Sequence, residues 1–178
     1  MDSIKKAVSY IEFLPIIVFG FLFKADKLPI EQQFYAVGLA SMVLLLCFYS
    51  LSLRMGSMAL ATNLHLISGA FAYLVYWEYL NWVYYYLQES SLLAWMFIVA
   101  LVRTIYSQQT ALDTFPSEDN SVKKLSFLFS FFCLVSIPLS VYLRGDLLYS
   151  VFIPFAALAY LQGLLKKLAV KRDVIQQI

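Results

Sequence analysis

Charge is the scarcest resource in this sequence. Asp, Glu, Lys and Arg together make up 13% of the 178 residues, against about 25% in an ordinary soluble domain. Apolar residues make up 62%, and a chain of this length still exposes roughly 30% of its unfolded surface after folding in water. Water is therefore excluded as the solvent for most of the chain, and lipid takes its place. The net charge of +2 is too small for a nucleic-acid partner.

Histidine and cysteine are nearly absent too. The single histidine, His65, the two cysteines, Cys47 and Cys133, and the lack of HExxH, GxSxG, CxxC or a phosphate-binding glycine loop leave the usual hydrolytic, redox and nucleotide chemistries without their side chains. Each cysteine lies inside an apolar run, which excludes a disulfide framework and a zinc site. No two carboxylates fall inside apolar segments. The expectation is a protein with no catalytic residue, no metal and no cofactor.

Long apolar runs are what the sequence does have. A membrane helix needs roughly 20 apolar residues, range about 17–25, and no segment alternates with the period of a membrane β-strand. Six segments qualify: 8–23, 34–53, 58–76, 91–106, 125–143 and 147–165. The first begins like a signal peptide, but Glu12 and Pro15 interrupt it and no small-residue cleavage site follows, so it reads as an uncleaved span. The last two form a hairpin turned at Arg144-Gly145-Asp146. The fold class is all-α, a polytopic membrane helix bundle forming one transmembrane domain over 1–178. The loop at 107–124 is polar, and its stretch from Gln108 to Val122 is the one plausible internal boundary. A basic tail covers 166–178.

Lys and Arg placement sets the orientation. With the N-terminus in the cytoplasm, Lys5, Lys6, Arg54, Arg103, Lys123, Lys124, Lys166, Lys167, Lys171 and Arg172 fall on the cytoplasmic side. Lys24, Lys27 and Arg144 fall opposite, ten against three. Both termini are expected in the cytoplasm.

The stretch "WEYLNWVYYYLQES", 77–90, lies between the third and fourth spans and holds no Lys or Arg. Tyr and Trp favour the headgroup level, where the ring is buried and the polar edge stays wet. Trp77, Tyr79, Trp82, Tyr84, Tyr85 and Tyr86 are read as an interfacial aromatic belt. Counting the stretch as a span would put Glu78 and Glu89 in lipid.

Ionisable groups inside spans are costly and are functional candidates by default. Glu12, Asn63, His65, Arg103 and Gln162 all fall in the cytoplasmic half of the bilayer under this topology. They form a candidate polar cluster, with Glu12 paired to Arg103 or His65, that serves a substrate or proton path. The alternative is structural: Arg103, Gln162 and Glu12 snorkel to the headgroups, and His65 hydrogen-bonds a neighbouring helix. Pro15, Pro138 and Pro154 are expected to kink their helices. Ser126/Ser130, Ser136/Ser140, Ala36/Ala40 and Ala159/Gly163 have the four-residue spacing that suits close helix packing.

The opening "FLPIIVFGFLFKADKL", followed by a second span ending "FYSLSLRM", resembles the septation protein A family of small bacterial inner-membrane proteins. The match falls on Phe13, Leu14, Pro15 and Lys24, and the third span has Gly69 near its middle, where the family carries a glycine pair. The Trp and Lys-Phe-Gly features that the family carries around its last two spans are not matched by "GDLLYSVFIPFAALAY". The resemblance implies a non-enzymatic role in cell-envelope integrity and septation, through contacts with division and wall-synthesis proteins of the inner membrane. Beside it stand a small oligomeric transporter or channel built on the polar cluster, and an accessory subunit of a larger membrane complex. The partners expected in all three are the lipid bilayer and other membrane proteins or further copies of the chain.

Overall fold

A computed structural model describes residues 11–25, 29–75, 78–87, 90–106, 110–112, 120–146 and 148–176. Lys5, Lys6, Lys27, Trp77 and most of the 107–119 loop lie outside them. Every described element is a helix: α1 Leu14–Ala25, α2 Ile30–Ser50, α3 Ser57–Val75, α4 Glu78–Leu87, α5 Ser91–Tyr106, α6 Asn120–Tyr142 and α7 Ile153–Gln176, the last preceded by one π-helical turn, Leu148–Phe152. Among the described residues four stretches are long and apolar enough to cross a membrane: Gln32–Ser50, Ser57–Val75, Ser121–Tyr142 and Leu148–Val170. A fifth is added if Asn81–Leu87 and Ser91–Tyr106 count as one broken span. The chain divides into two compact units, Met1–Gln88 and Glu89–Ile178, so the division falls at the end of the aromatic stretch rather than in the 107–124 loop.

In the first unit α2 and α3 form an antiparallel hairpin. Gly38 lies against Ala70 and the Leu66 carbonyl near one end, and Gly69 lies under the Phe34 ring. Near the other end Phe48 packs with Met55 and Ala59. Helix α1 closes the unit, with Ile16, Phe19 and Leu22 on Phe34, Val37 and Leu66. Half of the α3 span is buried, the largest share of the four. That is why Thr62, Asn63 and His65 are tolerated on it: they are covered by protein rather than lipid.

The turn between α2 and α3 is set by hydrogen bonds. Leu53 N–H donates to Phe48 O at 2.8 Å and Ser52 N–H to Tyr49 O at 3.1 Å, the paired bonds of a Schellman ending. Ser52 takes the left-handed position with φ 51°, which costs a side-chain-bearing residue about 1–2 kcal/mol. Ser52→Gly is expected to raise the unfolding free energy by about 1 kcal/mol, read as a shift of the denaturant midpoint in detergent.

The second unit is built inside out. Along α6 the buried residues are Val122, Ser126, Phe129, Ser130, Cys133 and Ser140, while Phe127, Leu128, Phe131, Phe132, Leu134, Val135 and Leu139 are exposed. Small hydroxylated residues at the helix contact and large apolar ones outside is the arrangement lipid favours. Ser90 Oγ donates to Ser140 Oγ at 2.9 Å, and Ser130 Oγ to Ser126 O at 3.0 Å. The hairpin turn falls where expected: Gly145 has φ 103°, and Asp146 Oδ1 accepts from Leu148 N–H at 2.9 Å.

Several boundaries differ from the sequence reading. Pro15 lies in the first turn of α1, where its missing N–H costs nothing, so it starts a helix instead of kinking one. Ile11 is helical and Glu12–Phe13 form a turn, so the segment read as a span over 8–23, whose residues 8–10 lie outside the described residues, is broken there in its described part. Pro138 stays inside an unbroken α6. Pro154 follows the π turn, which widens the backbone just where its ring would meet the Ser150 carbonyl. Helix α6 starts at Asn120, which puts Lys123 and Lys124 on a helix and not in a loop. The tail continues as helix to Gln176, because Leu165 and Ala169, one turn apart, extend the buried stripe.

Candidate functional site

The break at Glu12 organises the polar residues of the first unit. The Glu12 carboxylate accepts the Gly56 N–H at 3.0 Å. Gly56 immediately precedes α3, so the carboxylate sits against the positive end of that helix. The Glu12 carbonyl accepts from Asn63 Nδ2 at 3.0 Å, and the same amide donates to Ala59 O at 2.8 Å. Asn63 is fully buried. Its Oδ1 has no hydrogen-bond partner among the described residues.

His65 lies two residues further along α3 and faces a different neighbour. Tyr84 of α4 stacks on it, ring centroids 5.6 Å apart and planes 22° from parallel, while Phe34 meets it edge-on at 6.2 Å. The Tyr84 hydroxyl donates to His65 O at 3.0 Å, lies 3.4 Å from His65 Nδ1 and shares a hydrogen bond with Ser68 Oγ. Tyr84 therefore leaves the aromatic belt. It anchors α4 to α3, and Asn81 and Leu87, three residues to either side, are likewise half-buried. Tyr79, Trp82, Tyr85 and Tyr86 are exposed, with Trp82 and Tyr86 rings 4.4 Å apart. They form the outward aromatic face.

Tyr84→Phe keeps the stack and removes the hydroxyl. Its expected cost is about 1 kcal/mol. Tyr84→Ala removes the ring as well and is expected to cost about 3 kcal/mol or more, with α4 becoming protease-sensitive before the rest of the unit.

Gln162 and Arg103 belong to the second unit. Gln162 Nε2 donates to Ala111 O at 2.9 Å, holding the fully buried Ala111 and Leu112 against α7. Arg103 is half-buried in the last turn of α5, where a cation suits the helix dipole. Of the five residues read as one cluster, Glu12 and Asn63 touch within the first unit, where His65 has its own aromatic setting on the same helix, and Gln162 and Arg103 belong to the second unit. Ser68 and Gly56 were missing from the sequence reading, and Tyr84 stood in it only as a member of the belt. Among the described residues no group of three or more His, Cys, Asp or Glu could hold a metal ion. Comparison with protein families, curated proteins and solved structures gives no match to this chain.

Proposed function

We infer that this chain is a six-span protein of the bacterial inner membrane, with both ends cytoplasmic, that works by binding other membrane proteins rather than by catalysis. The observation that supports this most is how its interior polar groups are used. Glu12 receives a backbone amide, Asn63 and Gln162 donate to backbone carbonyls, and His65 is stacked under Tyr84. Each fastens a helix break, a loop or a surface helix. The sixfold count combines the four long helices with Ser91–Tyr106 and a first span broken at Glu12. The ten-to-three charge division supports the orientation.

Envelope maintenance at the division site is the most specific form of this reading. It rests on the resemblance carried by Phe13-Leu14-Pro15, Lys24, the second span ending in Arg54-Met55 and Gly69. A transporter is the second reading, favoured by the broken first helix beside the orphan Asn63 Oδ1, since transporters place ion sites at discontinuous helices.

Mass spectrometry of the tagged protein purified from its native membrane in mild detergent separates the two. Stoichiometric division or wall-synthesis proteins are expected. A clean homo-oligomer with no companion overturns the scaffold reading and favours transport.

A further inference from the structure

We propose that the cytoplasmic end of α7 carries a seat for one anionic phospholipid of the surrounding bilayer, with its phosphate between Lys166 and Lys167 and an acyl chain lying over Gly163. Gly163, Lys166, Lys167 and Val170 are spaced three, four and seven apart, so they share one helix face. They line an open groove of about 510 Å³. A Cβ built on Gly163 meets nothing within 4 Å, so the floor of the groove is bare backbone. The opposite face of α7, Leu158, Leu165 and Ala169, is buried in the unit's own packing. The groove is therefore turned outward.

Two further observations select an anionic lipid as the occupant. The first is depth. Lys166 lies eighteen residues after Leu148, the start of the apolar span, or about 27 Å along a helix, which matches the roughly 30 Å hydrocarbon thickness. Both ammonium groups thus reach the phosphate level while Gly163 remains among the acyl chains. The second is charge. The chain carries no Asp or Glu between Asp146 and Asp173, so nothing on this stretch neutralises the exposed lysine pair.

The proposal rests on the membrane reading, and the two fail separately. Release of the chain from membranes by alkaline carbonate would sink the membrane reading itself. The seat is tested by native mass spectrometry of the full chain eluted into micelles holding phosphatidylglycerol and phosphatidylcholine. Retention of phosphatidylglycerol over phosphatidylcholine is expected. K166Q/K167Q should weaken it about thirtyfold, which is about 1 kcal/mol for each lysine at tenfold per 1.4 kcal/mol. K123Q/K124Q removes the same charge from exposed positions of α6 and should leave retention unchanged. Gly163→Leu changes no charge and should weaken retention by filling the groove. If that variant does not fold, Val170→Phe crowds the same groove from an exposed position. Equal losses in the two lysine pairs, or full retention in the groove-filling variant, would reduce the effect to diffuse attraction and overturn the seat.

Discussion

Asn63→Asp is expected to lower the unfolding free energy by about 3–5 kcal/mol, the range for an unpaired charge in a buried site. The substitution is nearly isosteric, so it isolates one property. The Asn63 amide donates to two carbonyl oxygens at 2.8 and 3.0 Å, whereas a carboxylate only accepts and would face both oxygens with the wrong sign. Asn63→Leu is expected to cost less than Asn63→Asp. It too loses both hydrogen bonds, each worth about 1 kcal/mol net. It also removes the orphan Oδ1, whose burial without a partner costs about 1–3 kcal/mol in the native protein. The order wild type, Leu, Asp is what a denaturing-detergent titration followed by circular dichroism should return. An Asp variant as stable as wild type would mean that the amide does not fasten the break at Glu12.

How much of this was legible beforehand varies with the range of the interaction. Ser91–Tyr106 is the helix expected at 91–106, and the Arg144-Gly145-Asp146 turn stands where the sequence put it, because apolar runs and a glycine turn are local signals. The break at Glu12 was also written locally. A helix running through Pro15 would drive its ring into the Ile11 carbonyl, and the helix restarts at Leu14 instead. Hydropathy counting passes over such a break, since it weighs composition and not backbone donors.

Tyr84 was not legible. Its sequence neighbours Trp82, Tyr85 and Tyr86 are exposed aromatics, and only the return of α4 onto α3 sets it on His65. The Gln162 bond to Ala111 was not legible either, because that loop carbonyl lies 51 residues away in sequence. The small-residue pattern held on α6, where Ser126 and Ser130 are both buried, and failed on α2. Ala36 and Ala40 have the right spacing but are exposed; the close contact falls on Gly38, between them in sequence and on another face of the helix.

That contact sets the second large effect. Gly38→Ala is expected to destabilise the first unit by about 2 kcal/mol and Gly38→Val by about 3 kcal/mol, the usual range for overpacking. An added Cβ collides with the Ala70 Cβ and comes within 3.0 Å of the Leu66 carbonyl. The second neighbour is backbone, so no rotamer change relieves it, and α2 and α3 must separate along an interface that also seats Phe34 on Gly69. Gly20 and Gly163 supply the control. Nothing stands within 4 Å of a Cβ at either, so alanine there keeps only its helix-propensity advantage and should stabilise by up to about 1 kcal/mol. One substitution type thus has opposite signs at different glycines of the same chain. Ala70→Gly combined with Gly38→Ala removes the nearest collision and should recover part of the loss, giving a favourable coupling in a double-mutant cycle. Additive losses would show that α2 and α3 do not cross at this point. The antiparallel hairpin that carries Asn63 and His65 would then have to be drawn in another register.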